Sequence, residues 1–376
     1  MGRIAALRPE RVLEIGCGVG LLVEQLAPGC AVYRGMDLSA SAIGGLRRWL
    51  AGRPGYGHVE LRQGDALDLA GLAGPYDTVI VNSVVQYFPD LAYLRSVLER
   101  ACELVSSGGR IFVGDVRHLG LLSTFHGSVQ LAQAPDDLDV DQVRQRALRA
   151  VEREKELVID PGFFAALRRE LPRLTAVEVL LKEGGSDNEL TRYRYDVVLH
   201  VGEVETTAVT ERLEWAGSLS EVERYLGEHR PASVCVGSVL NGRLFQDTSS
   251  VRLLEEAVST TTAGELRAAI GRLDAAGEDP AAFAALAARH GYEARLDWSA
   301  GHGDGRFDVV LVDRARLGGG VVPVVAVPEV DLPWAAYATD PSAALLRGQL
   351  GPRLREALQR RLPEYMVPGT IVVLDG

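Results

Sequence analysis

Three closely spaced glycines follow the first apolar segment of the chain. The stretch reads RVLEIGCGVGLL and contains Glu14, Gly16, Cys17, Gly18 and Gly20. Backbone without β-carbons can adopt positive φ and lets a ligand approach the main chain, and the helix that follows points free amides toward it. The G-x-G-x-G spacing is shorter than that of dinucleotide sites, so it disfavours NAD. The alternative is a tight turn that serves packing alone.

Polar side chains stand at the ends of the next three apolar segments. Asp37 in GMDLS comes about 20 residues after the glycines, where a carboxylate can accept both hydroxyls of a ribose. Asp65 in QGDALDL, with the neighbouring amide of Ala66, could meet the amino edge of an adenine. The fourth segment is followed by Asn82, Ser83 and Gln86. Each alone is commonly a turn residue or helix cap, but together they predict a site at the carboxyl ends of parallel strands.

The elements that would position these residues alternate between strand and helix. Such alternation predicts an α/β fold with an open, doubly wound, mostly parallel sheet. The fourth strand is apolar throughout, as expected for a central parallel strand. Ser39 or Ser41 would cap the second helix. The five predicted strands lie in RVLEIG, AVYRGMDLS, VELRQGDALDL, YDTVIVNSVVQYF and SGGRIFVGDV.

Three regions follow from the pattern. Residues 1–203 hold the parallel sheet, a long helical stretch that could form a lid, and two strands that would pair antiparallel and finish the sheet. Residues 204–320 repeat strand and helix patterns and predict a smaller, accessory α/β subdomain. Residues 321–376 begin with a Gly- and Pro-rich linker and end in one helix and one short strand.

Composition excludes several classes of protein. The formal net charge of −11 disfavours nucleic-acid binding, which needs basic faces. The four cysteines are far apart and form no C-x-x-C pair, so neither a metal site nor a disulfide framework is predicted. No apolar run approaches the roughly 20 residues of a membrane span. We therefore expect a cytoplasmic protein without membrane contact, and both ends suggest a piece of a longer polypeptide.

The motifs resemble those of class I S-adenosylmethionine-dependent methyltransferases. NSVVQYFPDLAYL, ELVIDPGFFAALRRELP and NELTRYRYDVVLHV are similar to the methyltransferase domains that interrupt adenylation domains of nonribosomal peptide synthetases. The segment LREALQRRLPEYMVPGTIVVLDG resembles the end of an adenylation domain, here a fragment of its C-terminal subdomain. Relatives carry a helical stretch before the first strand, so part of a cofactor lid is expected to be missing.

The resemblance implies S-adenosylmethionine as cofactor. The glycine turn would hold its methionine and ribose, Asp37 the ribose hydroxyls, and Asp65 and Ala66 the adenine. The side chains after the fourth strand would line its sulfonium end. The cofactor-binding set is Glu14, Gly16, Cys17, Gly18, Gly20, Asp37, Leu38, Asp65, Ala66, Asn82, Ser83 and Gln86.

The catalytic candidates are the polar residues expected near the sulfonium: Tyr87, Asp115, Asn188 and Glu189. A carboxylate or carbonyl there could accept hydrogen bonds from an amine and stabilise the ammonium that forms. The alternatives are ion pairs, of Asp115 with Arg117 or Arg192 and of Glu189 with Arg192 or Arg194. His126 in the lid is a further candidate base, with a structural or solvent-exposed role as its alternative.

The resemblance implies N-methylation of an aminoacyl thioester on the phosphopantetheine arm of a peptidyl carrier protein, beside the host adenylation domain. C-methylation is the rival, although it needs a stronger base, and no buried Lys or His is evident for that purpose. A non-catalytic structural insert is the third hypothesis. The Arg-rich helices LRRWLAGR and RQRALRAVEREK could contact an acidic carrier, or be ordinary solvated faces.

Overall fold

The computed structural model describes residues 2–72, 74–318, 320–325, 332–363 and 366–368. The strands within these residues are β1 (Arg11–Ile15), β2 (Val32–Asp37), β3 (Val59–Gln63), β4 (Tyr76–Asn82), β5 (Val105–Arg117), β6 (Leu174–Leu181), β7 (Arg194–Val201), β8 (Thr206–Val209), β9 (Arg212–Glu214), β10 (Ser233–Val239), β11 (Glu293–Asp297), β12 (Phe307–Val312) and β13 (Val322–Val325). The α-helices are α1 (Gly2–Ala6), α2 (Leu21–Leu26), α3 (Ala40–Leu50), α4 (Leu91–Leu104), α5 (Leu122–Gln133), α6 (Val140–Glu152), α7 (Gly162–Glu170), α8 (Glu189–Tyr193), α9 (Leu219–His229), α10 (Phe245–Glu256), α11 (Ala263–Ile270), α12 (Pro280–His290), α13 (Arg314–Leu317) and α14 (Pro341–Gln359).

The strands form one large sheet in the order β3-β2-β1-β4-β5-β7-β6-β11-β12-β10-β9. The first five of these run parallel, so their carboxyl ends share one edge of the sheet, which we call the rim. β7 is antiparallel to both β5 and β6, which brings the end of β6 and the start of β7 to the same rim. β8 and β13 form a separate parallel pair.

Local sequence accounts for the elements that carry the rim. β4 is buried along most of its length, as its continuous apolar run predicts. The Ser39 hydroxyl accepts a hydrogen bond from the Ala42 amide at 3.2 Å, so Ser39 is the cap of α3. Asp90 caps α4 in the same way by accepting from the Tyr93 amide at 2.8 Å. These caps start each helix directly after a rim turn.

Two apolar cores lie on opposite faces of the sheet. One packs α1, α2 and α3 against residues such as Val12 and Ile80. The other packs α4 and α7 against Leu13 and Val79, and it continues without a break to Phe283 and Phe307. The second core therefore crosses the predicted boundary between residues 203 and 204.

The prediction that two antiparallel strands finish the sheet is half right. β7 and β6 pair antiparallel, but β11, β12, β10 and β9 continue the sheet beyond β6. The junction is narrow, with one pair of backbone partners, Asp297 and Leu180, and a bond from the Trp298 amide to the Val179 carbonyl at 2.9 Å. The pattern of β6 does not reveal this neighbour because any strand edge offers the same unpaired backbone groups. Strands β9 to β12 of the accessory region thus belong to the first sheet, whereas β8 does not, and the division at 203 stays a prediction.

The helical stretch predicted to form a lid, α5 and α6, begins at the rim end of β5. α5 and α6 share an apolar cluster with α10 and α11 of the accessory region, in which Leu131, Val143, Leu254 and Leu266 are buried. The lid is therefore held from the far half of the chain. The predicted final strand, in residues 369–376, lies outside the described residues. Within the described part of the chain, no helix has the length and apolarity to cross a membrane.

Trp298→Ala should lower the free energy of unfolding by about 3–5 kcal/mol, the usual cost of removing a buried aromatic ring. The Trp298 side chain is fully buried, its indole donates to the Arg306 carbonyl at 2.7 Å, and its ring lies 4.7 Å from that of His118. Urea denaturation followed by circular dichroism measures the change. Trp49→Ala, at a half-buried tryptophan on α3, is the control and should cost less. A loss below about 1 kcal/mol at Trp298 would contradict its role in joining the two halves.

Candidate functional site

The glycine turn between β1 and α2 contains two kinds of glycine. Gly16 and Gly20 have φ of 83° and 87°, and a Cβ on them would lie 2.1 Å from Val84 and 2.4 Å from Leu46. These two glycines are required by packing and by the left-handed backbone. Gly18 also has positive φ, 50°, but no atom lies within 4 Å of the position of its Cβ. Gly18 is thus the position at which a ligand could approach the main chain, because no other atom covers it. We call this open space the cradle.

Asp37 joins the end of β2 to this turn. Its Oδ2 accepts a hydrogen bond from the Gly18 amide at 2.9 Å, and its Oδ1 accepts from the Ser39 amide at 2.8 Å. The side chain is half-buried, and each carboxylate oxygen keeps a second lone pair. Asp37 therefore orders the turn and remains able to accept bonds from a diol. The neighbouring Leu38 side chain is exposed.

Glu14 lies beneath the turn rather than in the crevice. Its side chain is buried and accepts a hydrogen bond from the Tyr33 hydroxyl at 2.7 Å. Burial raises the pKa of Glu14 to about 7; the Asp37 charge adds to the rise, and the Tyr33 bond opposes it. Glu14 is thus a buried support for the turn, and direct contact with a ligand is not evident.

Cys17 is also buried, and it packs against Gly35 of β2. Burial, together with the Glu14 and Asp37 charges, raises the pKa of its thiol to about 12. A thiol with so high a pKa is a poor nucleophile. Cys17 is therefore a packing residue of the turn.

Asp65 and Ala66 follow β3 at the far end of the rim. The Asp65 Oδ1 accepts from the Leu67 amide at 2.9 Å and from the Tyr93 hydroxyl at 2.5 Å. Burial, followed by the Asp65 hydrogen bond, raises the pKa of Tyr93, which stays a neutral donor. The Asp65 side chain is exposed and Ala66 is half-buried, so both lie at the surface of the crevice.

The turn after β4 meets the end of β5 at two residues with unusual backbone. Ser83 and Asp115 have φ of 58° and 68°, which non-glycine residues rarely adopt. The Ser83 hydroxyl donates to the Asp115 Oδ2 at 2.5 Å, and the Asn82 amide donates to the Ser83 hydroxyl at 3.0 Å. Gln86 is buried, and its Oε1 has no hydrogen-bond partner within the described residues. Strained backbone and an unpaired buried acceptor often mark a functional site.

The partner of Asp115 is Lys182, which follows β6 and was not predicted from the sequence. The Lys182 Nζ lies 2.7 Å from the Asp115 Oδ1 and 3.2 Å from the Asp196 Oδ1. The predicted partners, Arg117 and Arg192, are wrong: Arg117 pairs with Glu154 and Glu156, and Arg192 with Asp187 and Asp247. The error arose because the sequence predicts the antiparallel pairing of β6 with β7 but not its register, which sets Leu180 opposite Asp196 and so brings Lys182 to Asp115.

The surroundings keep Asp115 ionised. Burial alone would raise its pKa, but the Lys182 ammonium, the Ser83 hydroxyl and the Arg194 charge outweigh burial and lower the pKa below its usual 3.8. A carboxylate of this kind is a poor proton acceptor. It is instead a fixed negative charge, able to accept hydrogen bonds and to stabilise a cation.

The other catalytic candidates have different surroundings. The Tyr87 side chain is 73% exposed next to the rim. Asn188 caps α8 by accepting from the Thr191 amide at 3.2 Å, which is a structural role. Glu189 is exposed and pairs with Arg194 at 2.9 Å, the ion pair that the sequence left as its alternative. Arg194 is the link between Glu189 and Asp115: its guanidinium pairs with Glu189, and its charge also acts on Asp115.

His126 lies on α5, within the segment predicted to form the lid. Its Nε2 lies 3.0 Å from Glu154, which also binds Arg117 at 2.9 Å. Burial alone would raise the pKa of Glu154, but the His126 hydrogen bond, the Glu156 amide and Arg117 outweigh burial and lower this pKa to about 2. His126 therefore belongs to a lid ion-pair cluster, which supports the structural alternative.

A cavity of about 650 Å³ lies on the α1 side of β6 and β7. Its lining includes Arg3, Arg110, His200 and Lys182 and none of the predicted cofactor residues. Lys182 is the link between this cavity and the rim. Among the described residues, no three His, Cys, Asp or Glu side chains are grouped as metal ligands.

Comparison with known proteins gives consistent matches. A family model described as "Methyltransferase domain" matches residues 13–111, which run from β1 through β4 and into β5. The chain is 40% identical to chondramide synthase from Chondromyces crocatus over 100% of the chain's own length. It is 37% identical to a probable non-canonical nonribosomal peptide synthetase from Salinispora arenicola over 97% of the chain's own length. It is 28% identical to cyclosporin synthetase from Tolypocladium inflatum over 97%.

The chain spans only 10%, 4% and 3% of these relatives. The matched region contains the glycine turn, Asp37 and the Asn82–Ser83 turn, and the remainder of the chain aligns with synthetases throughout. Residues 13–111 thus carry the sheet, the rim and the family match of a methyltransferase domain that uses S-adenosylmethionine, and the chain as a whole is similar to segments of nonribosomal peptide synthetases.

Proposed function

We propose that the chain N-methylates the α-amino group of an aminoacyl thioester carried by a peptidyl carrier protein. The observation that supports this most is Asp115, a carboxylate held ionised at the end of β5. An amine nucleophile arrives neutral and leaves as an ammonium, so a fixed negative charge beside it favours the transition state over the ground state. Names of the relatives place such chains in peptide synthetases, consistent with this substrate class.

The residues of the rim fit S-adenosylmethionine. The open space over Gly18 can take the amino-acid part, Asp37 can accept the ribose hydroxyls, and Asp65 with Ala66 can face the adenine. When bound, the cofactor supplies a methyl group already activated by a sulfonium. The unpaired Oε1 of Gln86 is a second acceptor for a cationic or N–H-bearing group near Ser83.

The protein contributes alignment and electrostatics to the reaction. Ser83 and Asp115 can accept the N–H groups of the incoming amine and so direct its lone pair away from them, toward the methyl donor. The negative charge of Asp115 then stabilises the ammonium that forms. Asp115 does not need to remove the proton, since the product ammonium can lose it to water.

C-methylation is less well supported. A carbon nucleophile requires a base strong enough to form an enolate. Asp115 has a lowered pKa, and Lys182 is ion-paired with two carboxylates, so neither offers a free basic lone pair. The sequence expectation that no buried lysine is evident missed Lys182, which lies at the rim with its ammonium ion-paired to Asp115 and Asp196.

The last described helix supports association with a host adenylation domain. α14 exposes a strip of leucine side chains, Leu345, Leu346, Leu350 and Leu354. Exposed apolar strips commonly mark interaction surfaces. We propose that the rest of the adenylation domain packs against this helix.

The direct test incubates the purified chain with S-adenosylmethionine and carrier proteins loaded with different amino acids. We expect a mass gain of one methyl group, which fragmentation places on the α-nitrogen. A methyl group on carbon would support C-methylation, and a folded chain that binds no cofactor by calorimetry would support a structural insert. Asp37→Asn is the control, and it should bind cofactor at least about 10-fold more weakly.

Gly18→Ala should separate cofactor binding from folding. The added methyl has free space in the protein, so stability should fall by only about 1–2 kcal/mol, the cost of left-handed backbone. The same methyl would occupy the proposed cradle, so affinity for S-adenosylmethionine should fall at least about 10-fold. Gly16→Ala is the matched comparison: its Cβ would clash with Val84, and it should unfold the turn. Unchanged affinity in a folded Gly18→Ala protein would argue against the cradle.

Glu14→Gln should remove a pH dependence of stability. The pKa of Glu14 is about 7 in the folded protein, above its unfolded value of 4.5, so the folded state binds the extra proton. Stability without cofactor should therefore fall as pH rises from about 4.5 to 7, by at most about 3 kcal/mol, and then level off. Thermal unfolding across this range measures the slope. Asp68→Asn, at an exposed carboxylate, should keep the wild-type slope; a Glu14→Gln profile identical to wild type would refute the assignment.

A further inference from the structure

Lysine is rare in this chain, and one of its lysines occupies the rim. The sequence contains two lysines, Lys155 and Lys182, among forty lysine and arginine residues. Lys155 is exposed on the segment after α6. The Lys182 side chain is only 19% exposed and lies between the carboxylates of Asp115 and Asp196. Lys182, the more buried of the two lysines, thus lies next to Asp115, the carboxylate proposed to meet the acceptor amine.

We propose that Lys182 is a positioning residue for methyl transfer: its ammonium holds the Asp115 carboxylate in place beside the acceptor, and Asp196, itself bound by Arg3, holds Lys182. This inference rests on the proposed function, because it assigns the support for Asp115 in that reaction. Lys182 acts through Asp115 and needs no contact with substrate or cofactor.

The backbone at Asp115 is held by the same network. The pairing of β5 with β7 is irregular between Val113 and Val116, which leaves Asp115 in the left-handed region. The Asp115 amide donates to the Asp196 Oδ1 at 3.2 Å, the oxygen that also faces Lys182. Asp196 therefore fixes the main chain of Asp115 while Lys182 fixes its side chain.

Asp196 is in turn anchored by α1. The Arg3 Nη1 lies 2.7 Å from the Asp196 Oδ2, and the Arg3 Nη2 donates to the Leu181 carbonyl at 3.0 Å. Both partners of this ion pair are largely buried, with side chains 11% and 6% exposed. The network thus joins the amino-terminal helix to the rim through three strands.

The charged and polar groups around Asp115 come from four elements. Lys182 follows β6, Arg194 and Asp196 belong to β7, Arg3 reaches Asp196 from α1, and the neutral Ser83 follows β4. Arg3 and Arg194 also pair outside the cluster, with Glu183 and Glu189, so the Lys182 ammonium is the charge that lies between both carboxylates. Removal of that charge leaves two carboxylates near each other, a condition that raises the pKa of one of them.

The geometry suits an ammonium better than a guanidinium. Three N–H groups in a tetrahedral arrangement can reach two carboxylates in different directions, whereas a planar guanidinium prefers to bind one carboxylate through two parallel bonds. This explains a lysine at position 182 in a chain whose other basic residues are almost all arginine. Arginine at this position should keep the charge and lose part of the alignment.

The experiment measures single-turnover methyl transfer to a carrier-bound aminoacyl thioester as a function of pH. Lys182→Met should slow transfer about 100-fold, the typical scale for loss of one preorganised electrostatic contact. Affinity for S-adenosylhomocysteine should stay within about 2-fold, because Lys182 contacts none of the cofactor residues. Lys182→Arg should recover about 10-fold of the loss, and the control Lys155→Met should behave as wild type.

The pH profile distinguishes positioning from a merely structural role. In the wild type, protonation of the acceptor amine alone should reduce the rate as pH falls. In Lys182→Met, Asp115 should also take up a proton, so the decline should be steeper, and Asp115→Asn should remove the steeper part. The double variant Asp115→Asn/Lys182→Met should be no slower than Asp115→Asn, since the two residues act as one unit.

Three outcomes would overturn the proposal. They are a wild-type rate in Lys182→Met, a slower rate with an unchanged pH profile, and losses that add in the double variant. If Lys182→Met fails to bind S-adenosylhomocysteine, the double variant, which buries no lone charge, is compared with Asp115→Asn, and a further 10-fold loss would refute the idea. A wild-type chain that transfers no methyl group refutes the proposed function instead.

Discussion

The bond between the Gly18 amide and the Asp37 carboxylate is the interaction on which the rim depends. It ties the glycine turn after β1 to the end of β2 at 2.9 Å, and so closes the floor of the crevice between two neighbouring strands. The turn can make this approach because Gly16 and Gly20 have no side chains to meet Val84 and Leu46. The open space above Gly18 is a consequence of this arrangement.

Two acidic residues near the rim have pKa values shifted in opposite directions. Glu14 is buried with one neutral donor, and its pKa rises to about 7. Asp115 is partly buried among cations, and its pKa falls. One carboxyl group is thus a support that is easily neutralised, and the other is a permanent charge. Such divergence between two acids of one region is a common sign of a working site.

The accessory region is structurally part of the methyltransferase. Its strands β9 to β12 extend the sheet past β6. Its helices α10 and α11 pack against α5 and α6, the segment predicted to form the lid. Its Asp247 accepts a hydrogen bond from the Tyr193 hydroxyl at 2.7 Å. Tyr193 ends α8, the short helix that follows Asn188 and Glu189. The far half of the chain therefore holds α8 in place.

The sequence by itself determined the fold class, the five parallel strands and the residues at their ends, because strand–helix alternation, glycine spacing and helix caps are local properties. It also indicated Asp37, Ser83 and Asp115 as residues of one rim, since parallel strands bring their carboxyl ends together. Only the tertiary structure decided that Lys182 and Asp196 lie beside Asp115 and that β11 continues the sheet. These contacts depend on which distant strands pair and in which register. The local pattern of residues in a strand is the same whichever partner that strand has.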